Sequence, residues 1–112
     1  MDQVPNIFIC VSEYLRPLEE VDQHLPAHIE WIEEMERRGL MIAGGRRVPP
    51  VGGVHILAGS SKQEIRDLLA TDPFEVNGMA AYWVFEFALP PGDGKSRLMQ
   101  YYLSEAFGRP KG

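Results

Sequence analysis

The chain has one cysteine, Cys10, in 112 residues. That excludes an internal disulfide and suits a reducing compartment, so a cytoplasmic location is expected. Basic residues are scarce beside acidic ones, 11 against 16, for a formal net charge of −5. Phosphate backbones are bound through counterion release at a basic surface, so a nucleic-acid partner is not expected. No stretch approaches the ~20 apolar residues needed to span a membrane. Met1-Asp2-Gln3-Val4-Pro5 carries no basic segment ahead of an apolar run, so no signal peptide is expected either.

What remains is ordinary globular material. Hydrophobic residues make up 45% of the chain and charged residues 24%, the balance of a single folded domain with a core of its own. The patterning alternates strand and helix. Asn6 to Ser12 is a short apolar run rich in β-formers. From Leu18 to Arg38 the period becomes helical, with Val21, Leu25, His28, Ile29, Ile32 and Met35 on one stripe. Pro26 requires either a kink there or a helix whose regular part begins there. Gly39 ends it.

Leu40 to Arg46 and Gly53 to Ala58 read as two strands joined by the turn Pro49-Pro50-Val51-Gly52. Ser60 or Ser61 caps a second helix running to Ala70, and Asp72-Pro73 is expected to end that helical stretch. Met79 to Leu89 is a fourth, aromatic-rich strand. The order is β-α-β-β-α-β, an α+β, ferredoxin-like split βαβ pattern with an antiparallel sheet. Residues 1–89 form this domain and 90–112 a linker and C-terminal helix, whose stripe is Leu98, Met99, Tyr102, Leu103, Ala106 and Phe107.

The strands are apolar on both faces. In the fourth, Ala81, Trp83, Phe85 and Phe87 point one way, and Tyr82, Val84 and Ala88 the other. Two helices cover one face of a four-stranded sheet, so the other needs a cover. A second copy of the chain, giving a homodimer, is the economical one. The chain's own C-terminal segment is the alternative.

Three histidines carry the candidate chemistry. His28 lies on the apolar stripe of the first helix, and Asp72 lies past the second helix. A compact fold brings imidazole to carboxylate, the simplest acid/base pair. His24 and His28, four apart, have a spacing that suits zinc, with Glu30 or Asp72 as further ligands, but neither HExxH nor a cysteine pair accompanies them. No metal or cofactor is therefore expected. His55 reads as a half-buried strand histidine. Arg46 and Arg47, beside Gly44-Gly45, suit an anionic ligand, and Tyr82 or Trp83 offers a face for stacking on a ring, with a core position the plainer reading of both. Gly94-Lys95-Ser96 imitates the end of a phosphate-binding loop, but Leu89 stands where its first glycine belongs, so nucleotide binding is rejected.

Leu25-Pro26-Ala27-His28-Ile29-Glu30-Trp31, Gly39-Leu40, Ala43-Gly44-Gly45 and Thr71-Asp72-Pro73-Phe74, at their spacing, resemble the YCII (YciI-like) family over about residues 7 to 88. The resemblance implies a ferredoxin-like dimer of the dimeric α/β barrel type. It also implies a His28/Asp72 active site, with elimination or isomerisation as the reaction type on a small aromatic or carbonyl-bearing substrate. Substrate contacts are then expected from Arg46, Arg47, His24 and Tyr82. Family members often carry an arginine before the Pro-x-His step, where this chain has Leu25, so the substrate class does not carry across. A non-catalytic dimeric module that binds a metabolite, or assembles a larger complex, is the alternative function.

Overall fold

A computed structural model describes residues 6–88. The expected C-terminal helix, the Gly94-Lys95-Ser96 segment and the division at residues 89 and 90 lie outside the described residues.

Eight elements follow one another: β1 (Asn6–Tyr14), α1 (Leu18–Gln23), α2 (Leu25–Arg37), β2 (Met41–Arg46), β3 (Gly53–Gly59), α3 (Lys62–Leu69), α4 (Pro73–Val76) and β4 (Ala80–Phe87). The four strands form one antiparallel sheet in the order β2-β3-β1-β4. With helices in both crossovers, this is a small α+β domain whose connectivity is compatible with the ferredoxin-like arrangement.

The single long helix read over residues 18–38 is two. The chain breaks at His24 (φ −100°, ψ 2°), which ends α1 and precedes α2. Proline has no N–H and clashes with the carbonyl four residues back, so Pro26 is tolerated only in a first turn, and it stands there in α2. Gly39, at φ +75°, then turns the chain out of α2.

Asp72-Pro73 behaves opposite to expectation: it opens a helix. Asp72 is the N-cap of α4, its carboxylate accepting from the Phe74 amide, and Pro73 supplies the first helical residue. Ser61 caps α3 in the same way by accepting from the Glu64 amide.

One face of the sheet packs on the helices. Phe8 and Cys10 of β1, Leu57 of β3, and Tyr82 and Val84 of β4 meet Trp31 and Met35 of α2 and Ile65 and Leu69 of α3. Burying side chains of this size contributes roughly 1.5–3 kcal/mol each, which makes this layer the main support of the fold. A smaller cluster of Val21, Phe74, Met79 and Ala80 packs α1 and α4 at the same end of the sheet as Tyr14.

On the other face Ile9 pairs with Phe85 and Val11 with Trp83. Trp83 is 50% exposed, Phe85 58% and Phe87 43%. The β2–β3 turn is pressed against the end of β1. The Tyr14 amide donates to the Val51 carbonyl at 2.8 Å, and a Cβ on Gly52 would overlap the Ser12 carbonyl. Only glycine fits there.

Candidate active site

His28 and Asp72, 44 residues apart, meet in the interior. Their Nδ1–Oδ1 distance is 2.7 Å, and both side chains are buried. The helical period puts His28 on the buried face of α2 with Trp31 and Met35. Asp72 is fully enclosed. A buried carboxylate is tolerated only when donors surround it, and three do. The Phe74 amide donates to Oδ1 at 3.0 Å, the Tyr82 hydroxyl donates to Oδ2 at 2.5 Å, and His28 Nδ1 supplies the third.

That contact sets the tautomer. With Nδ1–H donating to the carboxylate, the neutral ring carries its lone pair on Nε2. Nε2 has no partner among the described residues. The Phe74 ring holds the imidazole from one side, stacked at 3.9 Å and nearly parallel, at 8°. Trp31 ties α2 to the loop before α4 by donating its indole N–H to Thr71 Oγ1 at 2.9 Å. Burial, then the Asp72 charge and the bond to it, push the Tyr82 phenol up, so it stays protonated and serves as a donor.

A cavity of about 310 Å³ opens beside His28. Ser12, Tyr14, Arg46, Gly53 and His55 form its sheet side. Leu25, Ile29, Ile32 and Phe74 join His28 on the helix side, so most of the wall is apolar with a few polar groups. That size and lining suit a small organic molecule.

His55 is not half-buried; it is 2% exposed. Its ring meets the His28 ring edge-on, with centroids 5.3 Å apart at 86°. Neither of its nitrogens has a partner among the described residues. Burial, reinforced by repulsion from His28, pulls its pKa down to about 4, against a smaller opposing pull from Asp72.

The remaining candidates separate. Arg46 lines the cavity, with its guanidinium bonded to Tyr14 Oη at 2.9 Å and Asp22 at 2.6 Å. Arg47 does not line it; it reaches the Ser12 carbonyl at 3.2 Å and Glu13 at 3.9 Å. His24 occupies the break between α1 and α2, outside the lining, and its carbonyl accepts the His28 amide. Among the described residues no group of three His, Cys, Asp or Glu side chains is placed to hold a metal ion, Glu30 and Asp72 with His24 and His28 included. Tyr82 spends its hydroxyl on Asp72, away from the cavity lining, and Trp83 lies on the opposite sheet face.

Sequence reasoning passed over Phe74 and undervalued His55. Phe74 had a usable signal, following an N-cap Asp and a Pro that open a one-turn helix. His55 had a fainter one, a polar residue two positions after Gly53 on the inward register of an apolar strand.

A four-stranded antiparallel sheet backed by helices makes a small α+β domain, with an imidazole seated on an enclosed carboxylate beside a ligand-sized cavity as its candidate site. The YCII-related domain family matches residues 7–88, and the chain belongs to it. No curated protein matches the chain. Similar solved structures include 5-chloro-2-hydroxyhydroquinone dehydrochlorinase from Burkholderia phenoliruptrix in complex with 2,5-dihydroxybenzoquinone. Its identity is 20%, over 75% of this chain and 95% of that one, with a TM-score of 0.64, a likeness of fold. Among the described residues, no helix is long and apolar enough to cross a membrane.

The state of His55 has a consequence for stability. Its folded pKa of about 4 lies below the ordinary 6.5. The folded chain therefore takes up this proton less readily than the unfolded one. Stability is full above pH 6.5 and falls as pH drops from 6.5 towards 4, by about 3 kcal/mol from this residue. Urea unfolding across that window should show the loss in the wild type, and His55→Leu should flatten it. An unchanged slope in the variant would remove His55 as its source.

Proposed function

We propose that the chain is a small enzyme of the YCII type that moves a proton on a hydroxyl- or carbonyl-bearing molecule held in the cavity, with His28 as the acid/base group. One observation carries the reading: the 2.7 Å contact that commits His28 Nδ1 to Asp72 and leaves Nε2 uncommitted at the cavity wall. Nε2 takes a proton from a ligand hydroxyl, or from a carbon beside a carbonyl. The electron pair left behind shifts a double bond or expels a leaving group, and the imidazolium returns the proton elsewhere on the molecule or to solvent. Asp72 stabilises that imidazolium through Nδ1, and Tyr82 holds Asp72 in place. Phe74 and the aliphatic wall suit a flat ring.

The dehydrochlorinase of similar fold makes elimination the first reaction to test, with 5-chloro-2-hydroxyhydroquinone as the trial substrate. Chloride release by the wild type should fall by roughly two to four orders of magnitude in His28→Ala. Asp72→Asn, which keeps two of the hydrogen bonds but not the charge, should fall by a similar amount. Full turnover by His28→Ala would end the proposal.

The exposed Trp83, Phe85 and Phe87 support a second part of the reading: a homodimer that covers this face, of the dimeric α/β barrel type. Sedimentation should give the dimer mass for the wild type and the monomer mass for Phe85→Glu. A monomeric wild type at micromolar concentration would contradict it.

A further inference from the structure

The end of β1 brings to the cavity a polar group that the acid/base pair does not use. We propose that Tyr14 meets the charge that develops on the ligand during proton transfer: its hydroxyl, polarised by Arg46, donates a hydrogen bond to the ligand oxygen that becomes anionic while His28 takes the proton. This rests on the acid/base reading of the cavity and adds to it the residue that holds the charge.

The first argument is placement. Side chains alternate along a strand, so Phe8, Cys10, Ser12 and Tyr14 share one face of β1. Phe8 and Cys10 enter the apolar core, and further along Ser12 and Tyr14 line the cavity. Ser12 is enclosed, and its oxygen accepts the Gly53 amide at 2.8 Å. Tyr14 is only half-buried, and the Arg46 side chain bonded to it is 32% exposed. These two lining residues therefore stand where the cavity meets solvent, within reach of an entering molecule.

The second argument is the sense of the hydrogen bond between them. A guanidinium has no acceptor, so Arg46 Nε donates and Tyr14 Oη accepts, at 2.9 Å. The phenolic proton is left to donate elsewhere, and no acceptor meets it among the described residues. A hydroxyl that accepts from a cation is a stronger donor in turn. Both partners are also fixed in advance. Asp22 takes another arm of the guanidinium at 2.6 Å, and the Tyr14 ring rests edge-on against Phe74 at 5.8 Å and 84°. A donor set before the ligand arrives is the kind that stabilises developing charge.

The third argument is that the base does not hold the charge it creates. In the proposed step a ligand C–H bond breaks, an N–H bond forms at His28 Nε2, and the electron pair passes to a carbonyl oxygen further along the molecule. That oxygen needs a donor at a second point on the wall, and Tyr14 keeps its own proton while serving it. Phe74 touches both rings, stacked on His28 at 3.9 Å and edge-on to Tyr14, so base and donor sit around one aromatic surface. The other cavity histidine, His55, has both nitrogens enclosed and is not available for this part.

Spectrophotometric titration of bound 4-nitrophenol reads the contact without turnover, because its anion carries the charge on oxygen and absorbs apart from the neutral form. The wild type should hold the anion about tenfold more tightly than the neutral phenol, so that the bound phenol titrates about one pH unit below the free one. Tyr14→Phe, which keeps the ring against Phe74, should lose that preference while binding the neutral phenol as before and melting close to the wild-type temperature. Proton transfer to His28 would favour the anion in both proteins, so the difference between them belongs to Tyr14. Retention of the preference by Tyr14→Phe would overturn the proposal, and its loss in Arg46→Ala alone would assign the charge to the guanidinium instead. Should Tyr14→Phe not fold, a carbon-13 label on the tyrosine rings of the wild type decides: 4-nitrophenolate should move the Tyr14 Cζ resonance, and an unmoved resonance overturns the contact. Failure of the wild type to bind 4-nitrophenol in either form would also overturn this proposal, whereas the acid/base reading stands or falls separately on chloride release by the wild type and His28→Ala.

Discussion

The structure turns on one enclosed carboxylate. Asp72 has no exposed surface and accepts from three groups that belong to three elements: the imidazole of α2, the amide at the start of α4 and the hydroxyl of β4. A charge removed from water has to be surrounded in this way, because its desolvation otherwise costs several kcal/mol. The requirement organises its neighbours. Pro73 sets the first turn of α4, which brings the Phe74 amide onto Oδ1 and the Phe74 ring onto His28. The Trp31–Thr71 bond anchors the same loop to α2. The site and the core are therefore one construction.

The two cavity histidines show how environment divides labour between identical side chains. His28 has a carboxylate on one nitrogen and keeps the other for the cavity. His55, 5.3 Å away, has no carboxylate and is held neutral by burial. In the proposed reaction the first receives a proton with its charge stabilised by Asp72, while the second stays uncharged. This pairing distinguishes the chain's cavity from a generic apolar cleft, and it also explains the Gly44 and Gly53 positions that flank the second ring.

Much of this was legible in the sequence, for reasons that can be traced. Period and turn chemistry reveal the four strands, the Gly39 stop and the Ser61 cap, because each depends on local backbone preference. The same preferences misled at Asp72-Pro73, where a helix stop and a helix start use the same two residues and tertiary packing decides between them. Pro26 left two alternatives open, and the break at His24 chose the first-turn one. The arginines illustrate a different limit. Adjacent strand residues point to opposite faces, so Arg46 enters the cavity lining while Arg47 ties down the strand end. Which of the two points inward depends on the register with β3 and the irregularity between Met41 and Ala43, and neither is written in local sequence. Tyr82 was chosen for its ring, but its hydroxyl is what the fold uses.

The central claim is that Asp72 fixes His28 in the tautomer whose lone pair faces the cavity. Nitrogen-15 NMR of the His28 ring in the uncharged state measures this directly. The account requires the proton on Nδ1 and an unprotonated Nε2 in the wild type, with that preference lost in Asp72→Ala. A neutral His28 protonated on Nε2 would contradict it, since the carboxylate would then face a lone pair and the ring would present no base to a ligand.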